Sequence, residues 1–233
     1  MAPMELAHLQ DQFLSDPMNP TSLEAYQNAL LESEDLEAIR EMHRILFDAF
    51  TPEANLDAFL RQTDMKARTA ATPELSGELY GSLGRLFWRK GNEPDKAELY
   101  FRRVKGKTDA FDGDLHEFYL EFYTRRGNWR RLEQFLMEAA GNPEDPGSLI
   151  PLKRDLAHRA MAAEKLDKAI SFWSSVQDLC GGTDDEAEDE LQELYGKVGK
   201  WHSLVDLLSK KVKNLDSSEV AEKTEILLEI VVI

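Results

Sequence analysis

The sequence predicts an all-α protein, a right-handed α-solenoid built from antiparallel helix pairs. Three observations lead to this fold class. Apolar residues recur at helical rather than alternating spacing, strong helix formers dominate, and one helix–turn–helix pattern returns about every 35 residues. Each helix pair can bury only one face of each helix, so its other apolar face needs the next pair as a neighbour.

Helix-start signals divide the chain into short, closely spaced helices. Thr72-Pro73-Glu74 and Glu93-Pro94-Asp95 place a proline in the first helical turn after a capping or acidic residue, and Thr51-Pro52-Glu53 has the same form. All nine prolines are expected where helices start or stop. Glycines expected to end helices are Gly106, Gly113, Gly141 and the pair Gly181-Gly182. The predicted helices are 4–14, 21–33, 35–50, 53–69, 74–90, 95–105, 113–126, 129–140, 149–163, 166–179, 185–198, 201–214 and 217–233.

Four segments of the chain align with one another: 86–104, 122–139, 159–176 and 194–211. In each, one helix ends in a tight turn and a second helix begins within a few residues. The second helix carries an anchor residue early in its sequence and a large apolar residue four positions later. The anchors are Ala97, Leu132, Ala169 and Leu204, at spacings of 35, 37 and 35, and their partners are Phe101, Leu136, Trp173 and Leu208. Residues four apart share a helix face, so each pair should fill one inter-helix groove.

This pattern resembles the tetratricopeptide repeat (TPR), a 34-residue helix–turn–helix unit. In the first copy, Gly84 and Phe87 match the small and aromatic positions of the first helix, and Gly91 matches the turn. The copies are degenerate, because leucine replaces the small anchor in two of them and the closing proline of the family is missing. The resemblance covers 74–233 with a truncated last repeat, whereas 1–73 is an irregular helical region in which 21–50 weakly match a further pair.

The end of the sequence is also similar to one class of TPR protein. The segment WHSLVDLLSKKV followed by AEKTEILLEI resembles long bacterial TPR proteins, which include myxobacterial gliding-motility components. A last helix near 217–233 has an apolar face and no following partner helix, although a terminal repeat normally carries a polar cap. We therefore expect the array to continue in a longer chain.

Composition excludes several classes of function. With 44 acidic against 28 basic residues, the net charge of −16 opposes binding to nucleic acid or to an anionic membrane. No apolar run approaches the roughly 20 residues of a membrane span, so we expect no direct membrane insertion. One cysteine and an N-terminus without a secretory signal pattern suit a reducing, cytoplasmic location.

Residue patterns for catalysis or metal binding are weak. The five histidines are dispersed, and none has a second histidine three or four residues away. Cys180 is best interpreted as a structural thiol, and the acidic run 184–190 as a solvated helix face rather than a cation site. Gly77, Gly81 and Gly84 lie at helical spacing, which favours close helix packing over a phosphate loop. We expect no cofactor, no metal and no enzymatic activity.

Charge is distributed unevenly along the chain. Residues 1–64 carry 13 acidic and 3 basic residues, whereas 85–131 carry 8 acidic and 12 basic residues. The TPR resemblance implies that side chains of the first helix of each pair line a concave groove. Mapped in this way, the candidate partner-binding residues are Arg85, Trp88, Arg89, Glu121, Arg125, Arg154 and His158. Arginine beside an aromatic residue could bind an acidic peptide or a terminal carboxylate, but the alternative is that these arginines pair with neighbouring acidic residues.

The sequence thus predicts a protein–protein interaction scaffold or adaptor whose partner is a protein or peptide, with an acidic segment as one option. The asparagine of the chaperone-binding TPR carboxylate clamp is missing, which disfavours heat-shock-protein tails as partners. An alternative function is a regulatory module that senses a peptide or small ligand.

Overall fold

A computed structural model describes residues 3–51, 55–216 and 219–233 of the chain. All regular secondary structure in these ranges is α-helical and forms thirteen helices, so the predicted all-α class is confirmed. Within the same ranges, every helix is too short or too polar to cross a bilayer. The chain divides into two compact units, Met1–Phe118 and Tyr119–Ile233, and the division falls inside the seventh helix.

The first unit contains six complete helices and the start of a seventh. They are α1 (Pro3–Ser15), α2 (Pro20–Ser33), α3 (Leu36–Ala49), α4 (Asp57–Thr69), α5 (Pro73–Arg89), α6 (Pro94–Val104) and α7 (Asp112–Arg125). Helix α2 packs on α1, α3 and α4, while α5 packs on α3, α4 and α6. Because α5 has three neighbours, most of its surface is enclosed, and it is the central helix of this unit.

The second unit contains the remaining helices. They are α8 (Trp129–Ala139), α9 (Pro146–Ala162), α10 (Leu166–Leu179), α11 (Asp185–Val198), α12 (Trp201–Asn214) and α13 (Val220–Val232). Each of these helices packs on the next one along the chain. A continuous apolar core runs from Leu132 through Trp173 to Leu194, and a smaller cluster joins Leu204 and Leu208 to α13.

The predicted repeat register is visible in the backbone of the turns. Positive φ angles occur at Asn92, Gly127, Glu164 and Gly199, with values of 49°, 63°, 56° and 70°. Each of these residues stands five positions before its helix anchor, so the turns repeat at the same 35, 37 and 35 spacing as the anchors. The third turn uses a glutamate where two others use glycine, the residue with the least strain in this conformation. Shared turn geometry therefore supports the alignment independently of residue identity.

All four anchors and three of their four partners are buried as the repeat pattern predicts, whereas the partner Leu136 is only partly buried. All four anchors are between 0% and 4% exposed, and Phe101, Trp173 and Leu208 are at most 1% exposed. In the first copy, a β-carbon at Gly84 would lie only 2.7 Å from the Phe101 ring. Glycine at this position lets α5 and α6 approach closely, which confirms the packing role predicted for the α5 glycines.

Helix ends agree with the sequence signals except at a few positions. The Thr72 side chain caps α5 by accepting from the Leu75 amide at 3.2 Å. The expectation that every proline marks a helix end is wrong for Pro151, which lies inside α9 because that helix starts earlier, at Pro146. Gly113 does not end a helix but lies in the first turn of α7. The start signals at 52–53 and 217–218 lie outside the described residues.

Candidate functional site

A cleft of about 730 Å³ lies in the first unit between α3, α5 and the segment that leads into α7. Its lining is unusually basic for so acidic a chain. The cations that line it are Arg40, Arg44, Arg85, Arg89 and Lys90, and the acidic residues are Glu78 and Asp114. The volume is in the range of clefts that hold small ligands or short peptide segments.

Three side-chain contacts hold α3 beside α5 along the cleft. Arg40 Nε donates to Glu78 Oε2 at 2.7 Å, His43 Nδ1 lies 2.8 Å from Ser82 Oγ, and the Lys90 ammonium lies 4.6 Å from the Phe47 ring centre. The partners advance together along both helices, so α3 and α5 run in the same direction. Glu78 is almost fully buried, and its hydrogen bond raises the pKa of Arg40 above the ordinary value. This ion pair therefore fixes the inner wall of the cleft.

The glycines of α5 allow the segment that leads into α7 to form the remaining wall of the cleft. At Gly81 a β-carbon would lie 2.4 Å from the Phe111 ring, so only glycine lets the segment before α7 pack directly on α5. Phe111 is buried there, and the Arg85 guanidinium lies 4.9 Å from the centre of its ring. Arg85 also pairs with Asp114 in the first turn of α7. The close contact at Gly81 thus brings a cation–π contact and an ion pair to one edge of the cleft.

His43 is a second buried titratable group of this site, beside Glu78. Burial lowers its pKa to about 4, so the imidazole is neutral near pH 7. Its Nε2 has no hydrogen-bond partner among the described residues, while the ring packs edge-on against Phe59 at a centroid distance of 5.6 Å. The contact with Ser82 is therefore the polar contact that orients the imidazole among the described residues.

Arg89 has a different support. Its guanidinium carbon lies 3.5 Å from the centre of the Trp88 ring, and one of its nitrogens pairs with Glu117 of α7. Trp88 itself is only 9% exposed and packs edge-on against Phe118. The stack holds the guanidinium plane in place, and the Arg89 side chain is still 39% exposed. Trp88 is therefore placed to support Arg89 rather than to offer its own ring face.

The other predicted partner-binding residues, Glu121, Arg125, Arg154 and His158, lie in the second unit, and each forms a contact with a residue of opposite charge or with a carboxylate. Arg125 pairs with Glu121 at 3.1 Å within one helix. Arg154 pairs with both Asp184 and Glu186, and His158 Nε2 lies 3.4 Å from the Glu186 carboxylate. The structure thus contains the ion pairs that sequence reasoning gave as the alternative to a groove. Of the predicted set, only Arg85 and Arg89 line the cleft described above.

Sequence reasoning missed the contribution of α3 to the cleft. Arg40 and Arg44 are two of the three cations in residues 1–64, and they are four residues apart, on one helix face. This isolated basic pair in an acidic region was a usable signal. Lys90 lies within the predicted helix 74–90, but it is not at a position that the TPR resemblance maps to a groove.

The described ranges contain no cluster of three or more histidine, cysteine or acidic residues arranged to hold a metal ion. Burial, together with the Asp184 carboxylate 3.5 Å from its sulfur, raises the pKa of the Cys180 thiol. A thiol with a raised pKa is a poor nucleophile.

Comparison with known protein families finds no family that matches the chain. Comparison with curated proteins likewise finds no match.

Proposed function

We propose that this chain is a TPR-like α-solenoid scaffold that binds a segment of a partner protein, and that the cleft between α3 and α5 is its binding site. The observation that carries the proposal is the five-cation lining of an open, peptide-sized cleft in a chain with a net charge of −16. Repeat arrays stack helix pairs and commonly use the resulting surfaces for protein recognition. The shared turn geometry at 35, 37 and 35 residues supports such an array.

Site-specific photo-cross-linking tests this proposal. A benzophenone amino acid replaces Phe47, which lines the cleft and is half-buried, or Leu99, which is 49% exposed on α6 outside it. In an extract of the source cells, we expect a discrete protein adduct from position 47 and none from position 99. The adduct should disappear when Arg85 and Arg89 are both replaced by glutamate, and should persist when the exposed Arg102 of α6 is replaced instead. Equal labelling from both positions would contradict the proposal.

A second candidate function is the sensing of a small ligand, which the volume and partial enclosure of the cleft favour. In that case position 47 yields no protein adduct, and the unfolding temperature rises with a metabolite fraction from the same cells. The rise should be absent in the Arg85→Glu, Arg89→Glu variant.

A further inference from the structure

The carboxylates that neutralise the cleft fall into two classes by burial. Glu78 and Asp114 are the inner class, with side chains 6% and 20% exposed. The outer class is more exposed: Glu117 (60%) pairs with Arg89, Glu41 (53%) and Asp48 (66%) both pair with Arg44, and Glu37 (82%) shares Arg40 with Glu78. None of these outer carboxylates lines the cleft, although the arginines that they hold do.

This difference in burial sets which ion pairs can be exchanged. Removing one partner of a buried ion pair leaves an uncompensated charge and is strongly destabilising, so Glu78 should stay with Arg40. An exposed pair contributes little to stability. A carboxylate from outside the chain can therefore replace Glu117 on Arg89, or Glu41 on Arg44, at little cost.

We infer that the partner segment is acidic and binds by carboxylate exchange, with Glu117 and Glu41 as internal competitors for Arg89 and Arg44. This inference rests on the proposed function and specifies the partner's chemistry. The Trp88 stack preserves the position of Arg89 when Glu117 leaves, so the freed guanidinium edge can accept a planar carboxylate.

Two further features of the cleft suit such a segment. Lys90 forms no ion pair with any described residue, so it offers a positive charge that no described carboxylate neutralises. Its ammonium lies over Phe47, whose half-buried ring supplies an apolar surface beside the cations. A segment that alternates acidic and apolar side chains matches this lining, whereas a purely acidic one leaves the apolar surface without a partner.

Fluorescence anisotropy with the intact chain tests the inference. The probe is a fluorescein-labelled peptide of alternating glutamate and leucine with a blocked C-terminus, and the control peptide replaces glutamate with glutamine. Glu117→Gln removes the competitor and should tighten binding of the acidic probe about two- to fivefold, as loss of an exposed ion pair worth up to about 1 kcal/mol predicts. Arg89→Gln should weaken it by a similar factor of about two to five, because the probe carboxylate then has no partner and faces an unneutralised Glu117, and Arg89→Lys should restore only part of the loss.

The matched control is Glu193→Gln on α11, which removes the same charge from a pair with Lys197 outside the cleft and whose side chain is 59% exposed, against 60% for Glu117. Tighter binding by Glu117→Gln but not by Glu193→Gln supports exchange, because a general charge effect would move both variants equally. Equal effects of the two variants, or equal binding of the glutamine peptide, would overturn the inference. Absence of probe binding to any variant would also overturn it, while an adduct at position 47 would still uphold the proposed function.

Discussion

The close approach of α5 and α6 at Gly84 can be tested by adding a single methyl group. In Gly84→Ala the new β-carbon would lie 2.7 Å from two ring carbons of Phe101, well inside the roughly 3.5–4.0 Å of a favourable carbon contact. The ring has no free space to move into, because Phe101 is fully buried and its centroid lies 4.9 Å from that of Phe118. Overpacking of this kind costs about 1–3 kcal/mol.

The opposing effect is helix propensity, which favours alanine over glycine by about 1 kcal/mol in a helix interior. Gly196 isolates that effect, since it lies inside α11 and a β-carbon there would meet no atom within 4 Å. We therefore expect Gly196→Ala to raise the free energy of unfolding by about 1 kcal/mol. Gly84→Ala should fall short of that change by about 1–3 kcal/mol.

Urea denaturation followed by circular dichroism measures both free energies of unfolding, and hydrogen exchange assigns each change to its helices. Combining Gly84→Ala with Phe101→Leu should recover about 1 kcal/mol or more relative to the sum of the two single variants, because the smaller side chain relieves the clash. If Gly84→Ala stabilises the protein as much as Gly196→Ala does, the helices do not approach closely at this glycine and the reasoning is refuted.

Two further predictions concern the turns and the buried histidine. Glu164→Gly should raise the free energy of unfolding measured by urea denaturation by about 1 kcal/mol, since it removes a side chain from a residue in the left-handed conformation. Gly199→Ala should lower that free energy by a similar amount. If both variants changed the free energy of unfolding in the same direction, the shared turn geometry would be contradicted. For His43, the folded-state pKa of about 4 lies below its ordinary value of 6.5, so below pH 6.5 the unfolded chain binds a proton that the folded chain excludes. The free energy of unfolding should therefore fall by up to about 3 kcal/mol as the pH decreases from 6.5 to 4. His43→Gln should make the free energy of unfolding less dependent on pH over this range. If the parent protein and the variant showed parallel pH profiles, His43 would not be buried in its neutral form.

The helix boundaries could be predicted because the signals that set them are local. Thr72 and Asp145 each cap a helix through an amide three residues away, and such pairs are adjacent in the sequence. Where a boundary prediction failed, a local signal was ambiguous. Pro151 lies in the second turn of α9, where it removes the one backbone hydrogen bond that an N–H there would give to the carbonyl of Gly147.

The cleft could be predicted only in part, because it depends on contacts between residues that are distant in the sequence. The Arg40–Glu78 and His43–Ser82 contacts join residues 38 and 39 positions apart, in a part of the chain where the spacing departs from the regular repeat. The repeat register could place Arg85 and Arg89 on a common helix face, but it could not show that α3 packs beside them. The net charge of the chain could not show the basic cleft either, since it sums the charges of an acidic surface and of the cleft.

The internal carboxylates explain how an acidic protein can keep a basic cleft selective. While the cleft is empty, Glu41 and Glu117 neutralise the arginines that an anion would otherwise attract. Replacing one carboxylate by another changes the electrostatic energy little, so charge alone gives a polyanion little affinity. Net affinity must then come from what the internal carboxylates do not provide, namely apolar contact with Phe47 and a countercharge for Lys90. The cleft should therefore discriminate by the pattern of acidic and apolar side chains in the partner rather than by its total negative charge.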